Sequence, residues 1–200
     1  MQIYTFYCSK IHIALLAVDK SSNITLIKTI QTSTDIYSIC PYEANRFVVG
    51  TCQDPRHARI VDLNGQEADF ESVTFPDVTL WIDDSHCTYV PFAEVMLITH
   101  KVEDSVQMYQ IGSGTSTTLT DDRISRPLGI CWGPHGTLYI ASSNTDTVVE
   151  VTTHGEVVRS FDVGMKCPRS ICVSKDGSHI VVANNVFGEK RIKLFEIKFL

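Results

Sequence analysis

Along the whole chain the apolar residues come in short runs of four to seven positions, alternating or continuous, rich in Val, Ile, Thr and aromatics and broken by Gly, Asn, Asp and Pro. This texture predicts β-strands joined by tight turns. No segment places apolar residues at i, i+3, i+4 and i+7 over three turns, and no long Ala/Leu/Glu/Lys stretch occurs, so helices are expected to be nearly absent. The runs recur at a fixed distance. Five segments read as an apolar strand, most of them followed by a polar turn and a second strand: Leu15 to Asp19 into Ile24 to Ile30, Ala58 to Gly65 into Glu67 to Phe70, Val106 to Gly114 into Thr117 to Leu119, Thr147 to Gly155 into Val157 to Phe161, and Ile192 to Ile197. Taking Val18, Val61, Tyr109, Val151 and Glu196 as equivalent gives spacings of 43, 48, 42 and 45 residues. A period near 44 is that of the four-stranded blade of a β-propeller.

The remainder of each unit agrees. Leu128 to Ala141 aligns with Arg169 to Ala183: an apolar strand, a turn with Gly136 or Gly177, and a second apolar strand closing on a small residue. Fainter copies are Ile36 to Gly50 and Cys87 to Thr99. The expected fold is therefore all-β, a propeller of four-stranded antiparallel blades with about 4.5 to 5 blades present, compatible with an incomplete six-bladed ring. The chain supplies the second to fourth strands of one blade, three full blades, and the first three strands of a last one. A β-sandwich of nine or more strands is the rival arrangement, but it does not require this self-similarity. The domain expected is a single one over 1–200, with units of roughly 1–30, 31–75, 76–120, 121–162 and 163–200.

Composition narrows the partners. With 44% apolar and 20% charged residues over 200 positions, the chain can bury a core without disulfide or metal staples. The net charge of −6 argues against a protein devoted to neutralising phosphate. The charge is uneven, with 7 basic and 14 acidic side chains in residues 1–120 against 10 and 9 in residues 121–200, which leaves room for a basic face in the second half. Seven cysteines, an odd number without a C-x-x-C pair, fit neither a zinc finger nor a secreted disulfide framework; buried reduced thiols and a cytoplasmic location are expected. The apolar run Ile13 to Val18 is too short for a signal sequence or a membrane span, so no membrane association is expected, and the sequon Asn23-Ile24-Thr25 is read as chance.

One unit carries a more specific pattern: Arg126-Pro127-Leu128-Gly129-Ile130, then Gly136-Thr137-Leu138-Tyr139-Ile140-Ala141, then Asn144, Val148, Val151 and Gly155. It resembles the NHL repeat, and Pro168-Arg169-Ser170-Ile171, Asp176-Gly177, Val182-Ala183, Asn185, Arg191-Ile192 and Phe195 resemble a second copy. Ser142 and Asn184 stand where the family's Asp follows the closing Ala, and Thr147 stands where its Arg does. The resemblance implies a six-bladed propeller that binds protein or RNA, often as the C-terminal recognition module of tripartite-motif ubiquitin ligases. These 200 residues contain no Cys/His set for a RING or B-box and no heptad run, so they are not expected to carry ligase chemistry.

No nucleophile elbow or phosphate-binding loop occurs, and Gly112-Ser113-Gly114 is read as a hairpin turn. Asp83-Asp84-Ser85-His86 could offer oxygen ligands or a base, but a solvated loop explains it as well; His100, His135, His154 and His179 stand singly. Asn144, Asn184, Asn185 and Asp146 sit where lactonase-like propellers hold a divalent ion, without a matching Glu in the earlier units. No enzyme activity, cofactor or metal is expected. Propellers bind across the face made by the loops that lead into the inner strand and join the second strand to the third. Here that face would carry Arg123, Arg126, Lys166, Arg169, Lys190 and Arg191, either an arc able to attract phosphate or an acidic partner, or solvated rim charges balancing Asp121, Asp122 and Glu189. Trp132, Tyr139, Phe161 and Phe195 have strand spacing and are expected in the core, whereas Trp81 lies in a loop-like stretch as a hot-spot candidate. The function expected is a binding scaffold for a protein partner. The alternatives are RNA binding through the basic rim and a metal-dependent lactonase-like hydrolase, and self-association is expected if the ring is incomplete.

Overall fold

In the computed structural model, which describes residues 2–4, 8–9, 12–81, 85–186 and 188–197, five antiparallel sheets follow one another along the chain. The first comprises β1 (Gln2–Tyr4), β2 (Cys8–Ser9), β3 (His12–Val18) and β4 (Ile24–Gln31). The second comprises β5 (Asp35–Glu43), β6 (Arg46–Cys52), β7 (Ala58–Asp62) and β8 (Glu67–Ala68), and the third β9 (Cys87–Val90), β10 (Val95–His100), β11 (Ser105–Gln110) and β12 (Ser116–Thr120). The fourth holds β13 (Pro127–Trp132), β14 (Thr137–Ser142), β15 (Thr147–Thr152) and β16 (Val157–Asp162), and the fifth β17 (Pro168–Val173), β18 (His179–Asn184) and β19 (Ile192–Glu196). Among the described residues the only helical turn is Pro134–Gly136, of 3-10 type. These sheets are blades of a β-propeller. In the second to fifth, chain order is spatial order, and β5, β9, β13 and β17 contact one another in series as the innermost strands.

The first blade starts from its second strand. β1 and β2 pair with successive halves of one edge of β3, and β4 pairs with the other edge. β2 touches β5 just as β6 touches β9, β10 touches β13 and β14 touches β17, and β4 leads into β5 across three residues. The first blade thus provides second, third and fourth strands and the last provides first, second and third, as the spacing predicts.

Apolar faces of successive blades stack to make four continuous cores. Ile13 and Ile30 pack on Ile36, Val49 and Val61; Val48, Ile60 and Phe70 pack on Tyr89, Met96 and Ile98. Leu97, Val106 and Met108 pack on Leu138, Ile140 and Val149; Tyr139 and Val148 pack on Ile180 and Val182. A middle strand such as β10 is buried at all six positions because a sheet covers each side, whereas β18 alternates because a sheet covers only one. Among the described residues no contact of comparable extent joins the first blade to the fifth.

Two expectations are corrected. Trp132 is not core: it stands 40% exposed at a blade tip, edge-on to Phe92 at 5.7 Å. Cys167 and Cys172 are exposed, only Cys40, Cys52 and Cys87 are buried among the six described thiols, and none of the six forms a disulfide. Tyr139 is buried, with Phe161 and Phe195 packed beside it, as expected.

The Pro-x-Gly-Ile sequence has a geometric cause. The β13–β14 ladder shifts register between Pro127 and Ile130, and the β17–β18 ladder between Pro168 and Ser170. At Gly129 the two inner strands come so close that a Cβ would lie 2.6 Å from the Arg169 carbonyl oxygen and 3.0 Å from the Ile171 nitrogen. Backbone cannot yield as a side-chain tip can. Gly129→Ala is therefore expected to destabilise by about 1–3 kcal/mol in urea unfolding, with Gly112→Ala, whose Cβ would meet only the Glu94 carboxylate at 3.2 Å, costing clearly less.

Candidate functional site: the upper rim

The connections into each inner strand and the loops between second and third strands share one rim, called upper here. Its rigidity comes from a repeated device. In the second to fifth blades the second strand carries a small buried polar residue at its last or penultimate position: Thr51, Thr99, Ser142 or Asn184. Thr99 donates to the Leu128 carbonyl (2.9 Å) and accepts from the His86 amide (2.8 Å). Ser142 accepts from the Ser125 amide (2.9 Å) and donates to its carbonyl (3.0 Å). Asn184 donates to the Lys166 carbonyl (2.8 Å) and accepts from the Arg191 amide (2.7 Å). Ser142 and Asn184, the departures from the repeat pattern, thus fix the segment leading into their own blade.

A second device crosses between blades. Asp104 and Asp146, both at positive φ, accept from the amides of Arg126 and Cys167, which are also at positive φ and each precede an inner-strand proline. Left-handed non-glycine residues cost of order 1 kcal/mol each, which the charge-assisted hydrogen bonds offset. Asp146 also accepts from Lys166 Nζ at 2.5 Å, and that ammonium holds its carboxyl below the usual range. Asn144 Nδ2 bonds Ser125 Oγ at 3.2 Å. Asn144, Asp146 and Asn184 are therefore engaged in holding neighbouring loops. Asn185 is exposed, Ser85 is buried, and Asp83 and Asp84 lie outside the described residues. Among the described residues no three His, Cys, Asp or Glu side chains are grouped to hold a metal ion.

The predicted basic residues are distributed along this rim with carboxylates between them. Arg123 pairs with Asp121 at 2.7 Å, lowering that carboxyl to about 2. Lys166 pairs with Asp146, and Arg191 with Glu189. Lys166 and Arg191 come together in a cavity of about 370 Å³ that Asp146, Asp162 and Glu189 also line, so its charge is slightly negative. Arg126 and Lys190 are exposed, and Arg169 is half-buried at the second position of β17. The densest charge network lies instead in the second blade, where sequence reasoning did not look: Arg56 bonds Asp54 and Asp69, and Arg59 bonds Asp69 and Glu67. The signal was the close spacing of Asp54 and Arg56 on a loop with Arg59 at the second position of β7.

Trp81 belongs to the long connection between the second and third blades. Phe70 and Leu80 are buried, and Phe75 packs beside them. His57 Nε2 donates to the Val78 carbonyl at 2.8 Å, and the Gln53 amide donates to the Leu80 carbonyl at 2.8 Å. The next residue, Trp81, is 57% exposed. Beneath this segment His57 and His100 are buried with ring centroids 5.8 Å apart, and His57 Nδ1, His100 Nε2, Ser105 Oγ and the Tyr109 hydroxyl make no hydrogen bond. Burial holds both imidazoles below their usual range and therefore neutral. His57 was not singled out from sequence, since nothing local marks it as buried.

No family model matches the sequence, and no curated protein matches it. Solved structures do. The chain superimposes on a chain of the nidogen/laminin complex with a TM-score of 0.67 over 94% of its length and 76% of that chain, at 13% identity. For hydrazine synthase of Kuenenia stuttgartiensis the values are 0.63, 80%, 46% and 18%, and for virginiamycin B lyase from Staphylococcus aureus 0.56, 81%, 55% and 16%. The chain spans about half the length of the latter two. Likeness at these identities is likeness of fold, that of a β-propeller.

The buried imidazoles set a pH dependence. Their folded pKa values lie below the unfolded value near 6.5, so the unfolded chain binds more protons under that pH; their stabilisation is complete above 6.5 and is lost as pH falls toward the folded values. Melting temperatures are expected to fall steadily as the pH is lowered from 7.5 to 5.5. His57→Gln and His100→Gln should each flatten the profile. The lowered carboxyls, Asp121 among them, act only below about pH 4.

Proposed function

We propose that this propeller is a non-catalytic binding module that recognises a protein partner on its upper rim, with Trp81 as the anchoring side chain. The observation that carries this reading is the display of a large exposed aromatic directly after the buried Leu80, on a connection tied down by hydrogen bonds to the Val78 and Leu80 carbonyls. A rigidly presented Trp loses little entropy on binding, which is what a hot spot requires. Carboxylates interleaved with the basic groups favour a protein over RNA, since the arc offers no unbroken positive track for a phosphate backbone. The hydrogen bonds made by Asn144, Asp146 and Asn184 to adjoining loops favour recognition over metal-assisted hydrolysis. The structural neighbour from a nidogen/laminin complex, a propeller solved together with another protein, fits the same reading.

The finer assignment is an NHL-type propeller, supported by Pro127-Leu128-Gly129-Ile130 and Gly136 to Ala141. In a ubiquitin ligase such a module would select the substrate while ligation chemistry resided in other domains.

The test is capture of cross-linked partners on the immobilised chain, quantified by mass spectrometry. Trp81→Ala is expected to weaken capture roughly 30-fold, the effect of a loss of about 2 kcal/mol, with an unchanged melt. Phe92→Ala, on the opposite rim, should leave capture intact. Equal losses in both variants, or none in Trp81→Ala, would overturn the assignment.

A further inference from the structure

Between β8 and β9 the chain runs along the seam of the second and third blades, and residues 71–81 of this connection form no strand or helix. Ser72 Oγ donates to the Ile111 carbonyl at 2.6 Å, and the Phe75 ring packs on His57 at 5.3 Å and on Tyr109 at 5.2 Å. Thr74 and residues 76–79 are exposed, Phe75 is half-buried, and Leu80 is buried. Three attachments hold the end that carries Trp81: the Leu80 side chain, the Gln53 amide on the Leu80 carbonyl at 2.8 Å, and His57 Nε2 on the Val78 carbonyl at 2.8 Å. A segment with so few buried apolar contacts opens more readily than the sheets it crosses. We propose that residues 71–81 are a strap that acidification releases through His57, withdrawing Trp81 from its fixed position.

Under the closed strap a second proton has no place on His57. Nε2 already carries the proton given to Val78, so protonation falls on Nδ1, which is buried and makes no hydrogen bond. His100, its ring 5.8 Å away, is in the same situation: Nδ1 lies 3.6 Å from the Glu103 carboxylate, and the buried Nε2 makes no hydrogen bond. The Ser105 and Tyr109 hydroxyls of β11 are likewise buried without a hydrogen bond, so nothing among these groups accepts an added N–H. The carboxylates facing the pair compensate little. Asp54, on the loop before His57, is taken up by Arg56 at 2.7 Å; Glu103, after β10, is half-exposed and stands against His100; and Asp77, on the strap, is exposed. Burial outweighs the attraction of Asp54 and Glu103 and keeps both imidazoles below their ordinary value. Lifting the strap removes Phe75 and the Val78 carbonyl from the His57 ring, which hydrates Nδ1 and restores ionisation near 6.5. The closed form is therefore fully favoured above about pH 6.5 and loses ground as the pH falls through it. His100 keeps Glu103 and β11 beside it in either form, so the latch is His57.

Release of the strap does not depend on what Trp81 binds; its consequence for recognition rests on the upper-rim reading. The test is amide hydrogen exchange of the full chain, followed by NMR from pH 7.5 to 5.5 and expressed as protection relative to the intrinsic rate at each pH. The Gln53 amide reports the strap, and the amides of Leu97 and Ile98, in the middle of a fully covered strand, report global unfolding. Gln53 is expected to be less protected than Leu97 and Ile98 at every pH. Its protection should fall by up to about tenfold between pH 7.5 and 5.5, the ratio set by one group that ionises near 6.5 only in the open form. His57→Gln keeps a donor for the Val78 carbonyl but cannot titrate, so Gln53 protection should then be constant with pH, whereas His100→Gln should retain the fall. Gln53 protection that is flat with pH in the parent, that equals that of Leu97 and Ile98, or that still falls in His57→Gln overturns the proposal, and the first two outcomes need no variant. With exchange as expected, cross-linked capture should drop at pH 5.5 in the parent and persist in His57→Gln. Capture that ignores the strap would overturn the role given to Trp81 and leave the strap standing.

Discussion

Burial of an apolar sheet face against the next sheet is the interaction on which the rest of this molecule depends, because no blade has a core of its own. Leu97 and Ile98, adjacent on β10, are both fully buried, one facing the fourth blade and the other the second. Successive residues of a strand can both be dry only if sheets lie on both sides. This explains the continuous rather than alternating apolar runs of the middle blades. It also explains the alternation of β18, a strand with a neighbouring blade on one side only. Burial of each Val, Leu or Ile is worth about 1.5–3 kcal/mol, so the stacked faces dominate stability and the polar contacts adjust geometry.

Stacking fixes how far apart the sheets lie but not how their tips are held, and the upper rim solves this with polar side chains. Thr99, Ser142 and Asn184 tie down the segment leading into their own blade, while Asp104 and Asp146 reach to the next. A rim built this way is rigid without demanding particular outward-facing residues, which is the condition for a recognition surface on a conserved frame. The long connection ending in Trp81 uses the same logic with larger parts. A buried imidazole and a backbone amide take the place of the short hydroxyl and carboxylate contacts.

Several of these features were legible in the chain. The blade period could be read because turn residues and strand texture are local properties, and the Pro-x-Gly-Ile glycine could be flagged as special. Its reason, the approach of Gly129 to Arg169 in the adjoining inner strand, joins residues 40 apart and has no local signature. Trp132 misled because strand spacing reports which face a residue occupies and not whether the strand has passed the end of its neighbour. For the basic arc the sequence offers Asp121, Asp122 and Glu189 as balancing charges but not which cation each one meets. Asp121, Asp146 and Glu189 each neutralise one member only once the loops are folded.

The sequence by itself determined the all-β class, the four-stranded unit, the strands present in the first and last blades, and the placement of Trp81 in a loop. All of these follow from the two-residue period of strands and the conformational demands of turns. Tertiary structure alone decided how the charges are matched and that His57 and His100 meet beneath the Trp81 segment. The two histidines lie in different blades and the charge pairs form only when a loop closes, so neither is encoded in the periodicity of any single segment.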